Sequence, residues 1–178
     1  MNRIRLILAF LTVISVHVHA QSAKSLSRHI TEEDGLSSNQ VRAIMQDRMG
    51  FIWMGTYQGL DRYDGRTFQN IPLSEETRGS SVYSLCEDDD VIWLGTDKGL
   101  SSYSYATDEI SYFDVSTDDG MRISEQISSI AKDMDGNLWV STFGQGVFRY
   151  NRQQGKLDYF SMSDSRDLVA GVYVDKAN

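Results

Sequence analysis

The strongest constraint on this chain is that it repeats. Gly50-Phe-Ile-Trp53-Met-Gly55-Thr-Tyr-Gln-Gly59-Leu-Asp-Arg-Tyr63 returns as Ile92-Trp93-Leu-Gly95-Thr-Asp-Lys-Gly99-Leu-Ser-Ser-Tyr103. It returns again as Leu138-Trp139-Val-Ser141-Thr-Phe-Gly-Gln-Gly146-Val-Phe-Arg-Tyr150, with one residue added before its glycine. The tryptophans stand 40 and 46 residues apart and the tyrosines 40 and 47. Self-similarity at roughly 40 to 50 residues marks a repeat architecture, in which no unit can bury its apolar side alone.

Within the first unit the turn chemistry divides the chain into four short strands. Val41–Asp47 reads as strand a, and Arg48-Met-Gly50 turns the chain, with Asp opening and Gly closing a type I turn. Phe51–Thr56 is strand b, rich in β-formers around Trp53. Tyr57-Gln-Gly59 is a tight loop, Leu60–Tyr63 strand c, Asp64-Gly65 a turn, and Thr67–Ile71 strand d. Gly59, Gly99 and Gly146 are expected to supply positive φ in the b–c loop. Strand a keeps a small residue at its middle position (Ala43, Ser84, Ser129), as innermost strands crowding toward an axis require. The expected class is all-β: a propeller fragment of about three four-stranded antiparallel blades plus the first strand of a fourth. The units fall at 39–73, 80–115 and 126–161. Val169, Gly171, Val172 and Asp175 fall on Val41, Ala43, Ile44 and Asp47, so a fourth unit begins within 168–178. Radial arrays close with four to eight blades, and the chain is therefore expected to be the front of a longer one.

Residues 1–20 read as an export signal: Arg3 and Arg5, an apolar run from Leu6 to Val16, then Val18-His19-Ala20 before Gln21. Residues 21–38 form an amino-terminal segment. Without the first 20 residues, which hold two arginines and no acid, the net charge of −8 becomes −10. That balance opposes binding to a phosphate backbone. The single cysteine, Cys86, allows no internal disulfide.

Chemistry-bearing constellations are sparse. Beyond the signal segment there is one histidine, His29, far from any nucleophile motif, and Cys86 reads as core filler. Asp88-Asp-Asp90 and Asp133-x-Asp135-Gly136-Asn137 resemble pieces of calcium loops but lack the closing glutamate. Phe143-Gly-Gln-Gly146 is half of a phosphate loop, with Arg149 in place of the third glycine. No spacing singles out a glycosidase pair among the carboxylates. No catalytic residue, metal or cofactor is expected.

The pattern Asp-x-x-Gly-x-x-Trp-x-Gly-Thr-x-x-Gly-Leu-x-x-Tyr, preceded by Gly35-Leu-Ser-Ser-Asn39, resembles the two-component regulator propeller repeat. The resemblance covers residues 27–178, and the first copy matches nearly every motif position. The third departs by Ser141 and by its inserted residue, changes expected to alter loop shape. This resemblance implies the periplasmic sensor region of a Bacteroidetes hybrid two-component histidine kinase. The full protein would hold two propellers, a β-sandwich, a membrane helix and a kinase core. It would act as a homodimer, with membrane contact only through its carboxy-terminal part and no nucleic-acid contact by this region. The resemblance also makes Ser27–Ile30 the outer strand that closes the last blade.

The repeat residues Trp53, Gly55, Gly59, Tyr63, Trp93, Gly95, Gly99, Tyr103, Trp139, Gly146 and Tyr150 are therefore assigned to the frame. Strand b runs antiparallel to strand a, so the loop entering a and the loop leaving b share one face. That face collects Asn39, Tyr57, Gln58, Asp97, Lys98, Gln126, Phe143 and Gln145. Aromatic rings, amides and charges suit an oligosaccharide, and loops on a rigid frame concentrate binding residues. The expected role is sensing an oligosaccharide for polysaccharide-utilisation genes. Two other readings remain open on sequence: a propeller enzyme of the quinone-dehydrogenase or lyase type, and a secreted binding scaffold without a kinase.

Overall fold

A computed structural model describes residues 28–161 and 167–175. The export-signal expectation for 1–20 and the assignment of Ser27 lie outside these residues. Three antiparallel four-stranded meanders form the body. Blade 1 is β1 (Val41–Gln46), β2 (Ile52–Thr56), β3 (Gly59–Tyr63) and β4 (Phe68–Ile71). Blade 2 is β5 (Val82–Asp88), β6 (Val91–Thr96), β7 (Gly99–Ser104) and β8 (Glu109–Tyr112). Blade 3 is β9 (Ile127–Lys132), β10 (Leu138–Gly144), β11 (Val147–Asn151) and β12 (Lys156–Phe160). The all-β repeat expected from sequence is the fold observed, with strand ends within a residue or so of those predicted for the first unit. Among the described residues no helix is long and apolar enough to cross a membrane.

The turns explain the meanders. Gly50 (φ 90°) and Gly136 (φ 80°) close the a–b hairpins of blades 1 and 3, their N–H groups donating to the carbonyls of Asp47 and Asp133. Blade 2 has a two-residue turn, and there Asp89 takes the left-handed conformation (φ 46°) that glycine would otherwise supply.

The core lies between sheets. One cluster joins Trp53, Leu60 and Ile71 of blade 1 to Val82, Leu94 and Tyr103 of blade 2. A second joins Trp93 and Leu100 of blade 2 to Ile127, Val140 and Phe148 of blade 3. Trp53 and Trp93 are each sealed by the third strand of the following blade. Tyr103 lies 4.7 Å from Trp53 in a tilted pair, and Tyr150 meets Trp93 edge-on at 6.3 Å. Burial and a hydrogen bond to Asp108 push the Tyr103 hydroxyl up to about 12. Burial and neighbouring Asp47 and Glu87 raise that of Tyr105 further, so both remain protonated donors.

The turn aspartates do more than shape hairpins. Asp47, Asp88 and Asp133 each accept the indole N–H of their own blade's tryptophan, at 2.8, 3.1 and 2.8 Å. The following blade then reaches back to the same carboxylate. Tyr105 donates to Asp47 at 3.3 Å, while Arg152 donates to Asp88 at 2.6 Å and Lys132 forms an ion pair with it at 2.5 Å.

Ser141, whose departure was expected to alter loop shape, stands within strand β10, as Gly55 and Gly95 stand within β2 and β6. A Cβ on Gly55 would lie 2.7 Å from the Val82 carbonyl oxygen, and one on Gly95 would lie 2.5 Å from Ile127 Cγ2. These glycines let the next blade's first strand approach. They also face the small residues of the paired strand, Ala43 and Ser84, which accounts for that conserved smallness within the chain. Residues 28–30 are not in a strand, and the last blade they are expected to close is not among the described residues; Arg28 pairs with Asp34 beside the short 3₁₀ turn Glu32–Asp34. Of the fourth unit, expected within 168–178, the described residues are 168–175. The pairing is confined to β13 (Asp167–Leu168) against Phe143 and Gly144 of β10. A second strand that would pair with 169–175 is not among the described residues. The segment nevertheless follows blade 3 closely: Val169 N–H donates to the Thr142 carbonyl at 3.1 Å, and Ser129 Oγ donates to the Val172 carbonyl at 3.4 Å.

Candidate ligand-binding face

The Thr that follows each Trp-x-Gly or Trp-x-Ser builds the loops of this face. Thr56, Thr96 and Thr142 are fully buried. Their hydroxyls donate to the carbonyls of Gly59, Gly99 and Gly146 at 3.2, 2.8 and 2.9 Å. The same oxygens accept the N–H of Gln58, Lys98 and Gln145 at 3.1, 3.1 and 3.0 Å. A two-way clamp of this kind fixes the b–c loop whatever residue stands at its tip. The tip positions are Tyr57, Asp97 and Phe143.

The shared face is real in the backbone. Tyr57 N–H donates to the Gln40 carbonyl and Phe143 N–H to that of Gln126, so the loop leaving b binds the chain entering a. Across blades, Ser81 Oγ donates to the Tyr57 carbonyl at 3.0 Å. Tyr57 is 52% exposed and Phe143 45%, with Gln58, Asp97 and Lys98 also exposed. The arc over three blades is therefore aromatic, carboxylate, aromatic.

The other sequence-selected residues are already engaged. Gln145 accepts the N–H groups of Ser124 and Glu125 and donates to the Arg122 carbonyl, at 3.0, 3.1 and 3.0 Å. Asn39 exchanges hydrogen bonds with Glu32, accepting its N–H at 3.0 Å and donating its own N–H to the Glu32 carboxylate at 2.8 Å. Lys98 donates its ammonium to the Arg78 carbonyl at 2.8 Å. Gln126 is half-buried. These groups hold loops, and they leave Tyr57, Gln58, Asp97 and Phe143 as the side chains turned outward.

Two hollows lie at the rim of this face. One, of about 530 Å³, runs from Gln58 to Asn70, Leu73 and Arg78. The other, of about 500 Å³, is bounded by Glu76, Tyr112, Asp114 and Arg122, with an Arg122–Asp114 ion pair along its wall. Burial, and then the Asp114 charge, raise the Tyr112 hydroxyl above its ordinary range. Of these positions sequence comparison selected Gln58 alone; Glu76, Arg78 and Arg122 lie between the units at 39–73, 80–115 and 126–161, in segments that do not repeat.

Blade 1 anchors its amino-terminal loop through Asp61, which has no exposed surface. Asp61 accepts Ser37 N–H at 2.9 Å, Ser37 Oγ at 2.6 Å and Asn70 Nδ2 at 2.5 Å. Asp61→Ala strands these donors and is expected to cost about 1–3 kcal/mol. Amide hydrogen exchange over 35–40 should quicken in that variant while exchange in blade 3 stays unchanged.

Known proteins add context. The sequence profile described as two component regulator propeller matches residues 35–58 and 122–144. A histidine kinase, P4, of Formosa agariphila is 38% identical over 56 residues, which are 32% of this chain and 4% of that protein. Two structures of the extracellular domain of BT4673 from Bacteroides thetaiotaomicron superpose with TM-scores of 0.70 and 0.67, at 26% and 25% identity over 83% of this chain. That protein is described as a one component system in the first and a hybrid two component system in the second. The extracellular domain of the hybrid two component system BT3049, from the same organism, gives 0.66 at 27% identity over 75% of the chain. The chain spans about a fifth of each of these domains (21%, 21% and 20%). Motif, profile and fold agree: two stretches of the chain match the two component regulator propeller model, and its fold is similar to that of extracellular domains of two-component systems.

Proposed function

We propose that this chain is part of the periplasmic ligand-sensing propeller of a hybrid two-component sensor histidine kinase. It would be exported, with the parent protein held in the inner membrane through a part beyond these residues and working as a homodimer. The observation that carries this reading is the similarity to extracellular domains of two-component systems across most of the chain. The loop face is its ligand side, and the arc of Tyr57, Asp97 and Phe143 suits an oligosaccharide: rings stack on sugar faces and a carboxylate takes two hydroxyls. The region itself performs recognition, and phosphotransfer belongs to the parent's kinase core.

Two measurements test this. Reading the coding sequence beyond Asn178 should show further blades, a membrane helix and a kinase core; a stop codon in an intact gene would sink the parent-protein reading. A glycan array on the longer protein should yield an oligosaccharide ligand. Tyr57→Ala and Asp97→Ala should each weaken its binding about tenfold, at the scale of ~1.4 kcal/mol per contact. Both sites are exposed, so melting temperatures should stay level. Unchanged affinity in both variants would remove this part of the face from the site.

A further inference from the structure

The residue before the glycine of each b–c loop shares one clamp but not one task. Lys98 donates its ammonium to the Arg78 carbonyl at 2.8 Å, and Gln145 its amide to the Arg122 carbonyl at 3.0 Å. Each fastens its loop to the segment that joins the preceding blade to its own. Gln58, their counterpart in blade 1, has no such bond: among the described residues its side chain makes no hydrogen bond, and it lines the hollow of about 530 Å³. Three kinds of wall meet there. Pro72 and Leu73 are apolar, Gln58 and Asn70 are amides, and Arg78 is a cation. Asn70 donates through Nδ2 to the Gly35 carbonyl and the Asp61 carboxylate, which leaves its Oδ1 as an acceptor. In a chain of net charge −8, no carboxylate is among the described residues that line this hollow. The neighbouring hollow differs, for Glu76 and Asp114 line it together with Arg122. Arg78 pairs with Glu75, but both side chains are largely exposed, and such a pair contributes little and exchanges readily.

We propose that this hollow is a subsite for a sugar ring bearing a carboxylate, a uronic acid unit adjoining the ring that stacks on Tyr57. The Arg78 guanidinium exchanges Glu75 for the ligand carboxylate and holds it through two parallel N–H···O bonds. The Gln58 amide and Asn70 Oδ1 meet ring hydroxyls, and Pro72 and Leu73 take the apolar side of the ring. Its volume falls within the range of small-molecule sites, about 300–1,000 Å³. Gln58 directly follows Tyr57 in the b–c loop, so subsite and arc are contiguous. The acidity of the chain is no obstacle to a ring with one charge, which needs one cation, whereas a phosphate backbone needs them clustered. This inference rests on the oligosaccharide reading of the loop face and narrows it to acidic sugars.

The test follows the N–H signals of the isotope-labelled chain by NMR during titration with galacturonate and glucuronate, and with galactose and glucose as their neutral counterparts. The uronates should move the signals of Gln58, Gly59, Arg78 and Gly79 at millimolar concentration, and the neutral sugars should bind at least about tenfold more weakly. Arg78→Gln, an exposed change that leaves the fold intact, should abolish the difference. Glu75→Gln should strengthen uronate binding about threefold, because the ligand then displaces no competing carboxylate. Silence of these signals toward both uronates, or an equal response to the neutral sugars, overturns the proposal. An equal response to acetate overturns the sugar's part in it, leaving a site for any carboxylate. The oligosaccharide reading is judged apart, by the Tyr57 and Phe143 signals with a glycan-array ligand. Movement there with the hollow silent overturns the subsite and keeps the face, whereas a uronate response in the hollow with the tips silent supports the subsite and removes the arc.

Discussion

Gly95→Ala should destabilise the chain by about 2–3 kcal/mol, at the upper end of the range for overpacking a closed interior. The sign is informative, because glycine in a strand interior ordinarily costs about 0.5–1 kcal/mol relative to alanine. On backbone grounds alone the variant should therefore gain stability. The added Cβ decides otherwise: it would lie 2.5 and 2.9 Å from Cγ2 and Cβ of Ile127, a fully buried β-branched residue, and would also press on Ser84 Oγ. Ile127 is stiff at χ1 and lies within the blade 2–blade 3 core, so it has no room to yield. Urea unfolding should show a lower midpoint at unchanged slope. The counter-experiment is already in the sequence: Ser141 occupies the same position in blade 3, where its hydroxyl meets Ser128 Oγ at 2.8 Å. Ser141→Gly should change stability by less than about 1 kcal/mol, since the neighbouring segment there is held by few contacts. A neutral Gly95→Ala would show that sheet spacing is softer than these contacts require.

Asp88→Ala is the second large effect. The carboxylate is 1% exposed and joins the Trp93 indole to Lys132 and Arg152. Breaking a buried pair by removing one partner costs about 3–5 kcal/mol, but both cations here keep some solvent, which reduces the expected loss to ~2 kcal/mol. The pH dependence separates charge from shape. Burial raises the Asp88 pKa, but the Lys132 and Trp93 hydrogen bonds and the Arg152 charge outweigh it, leaving the group below the usual carboxylate value. A carboxyl depressed in the folded state contributes stability above its unfolded pKa of about 3.9 and loses it as pH falls through the folded value. Wild type should therefore exceed Asp88→Asn near neutrality, and the two should converge below about pH 4. A constant gap at all pH would mean that the carboxylate acts through its shape and not its charge.

The strands were legible because turn chemistry marks them: Asp47 and Gly50, the Asp64-Gly65 pair, and Trp53 among β-formers. The frame was only half legible. Asp47, Asp88 and Asp133 were adequately explained as turn formers, so their bond to the indole was hidden, although their spacing of six, five and six residues before each tryptophan carries it. Likewise, the Thr after each Trp-x-Gly or Trp-x-Ser recurs in every copy and could have been recognised as a clamp. Gly55 and Gly95 show why such reading runs out. A glycine in a strand reveals that something comes close, but the close neighbour lies one sheet away and some 30 residues on. On the loop face, variability pointed to the tips Tyr57, Asp97 and Phe143. It could not tell that the amides of Asn39 and Gln145 already hold backbone N–H groups, since a backbone-holding amide and a free one look alike in sequence.

The sealing of Trp53 and Trp93 by the blade after each gives the molecule a direction in time. Blade 1 cannot dry Trp53 until Tyr103 has been made, nor blade 2 dry Trp93 until Tyr150 has. In a repeat array, where stability passes between neighbours, each sheet borrows its final packing from a part of the chain that leaves the ribosome later. The newest blade is always the loosest, and the structure hardens from its amino terminus forward as the ring grows.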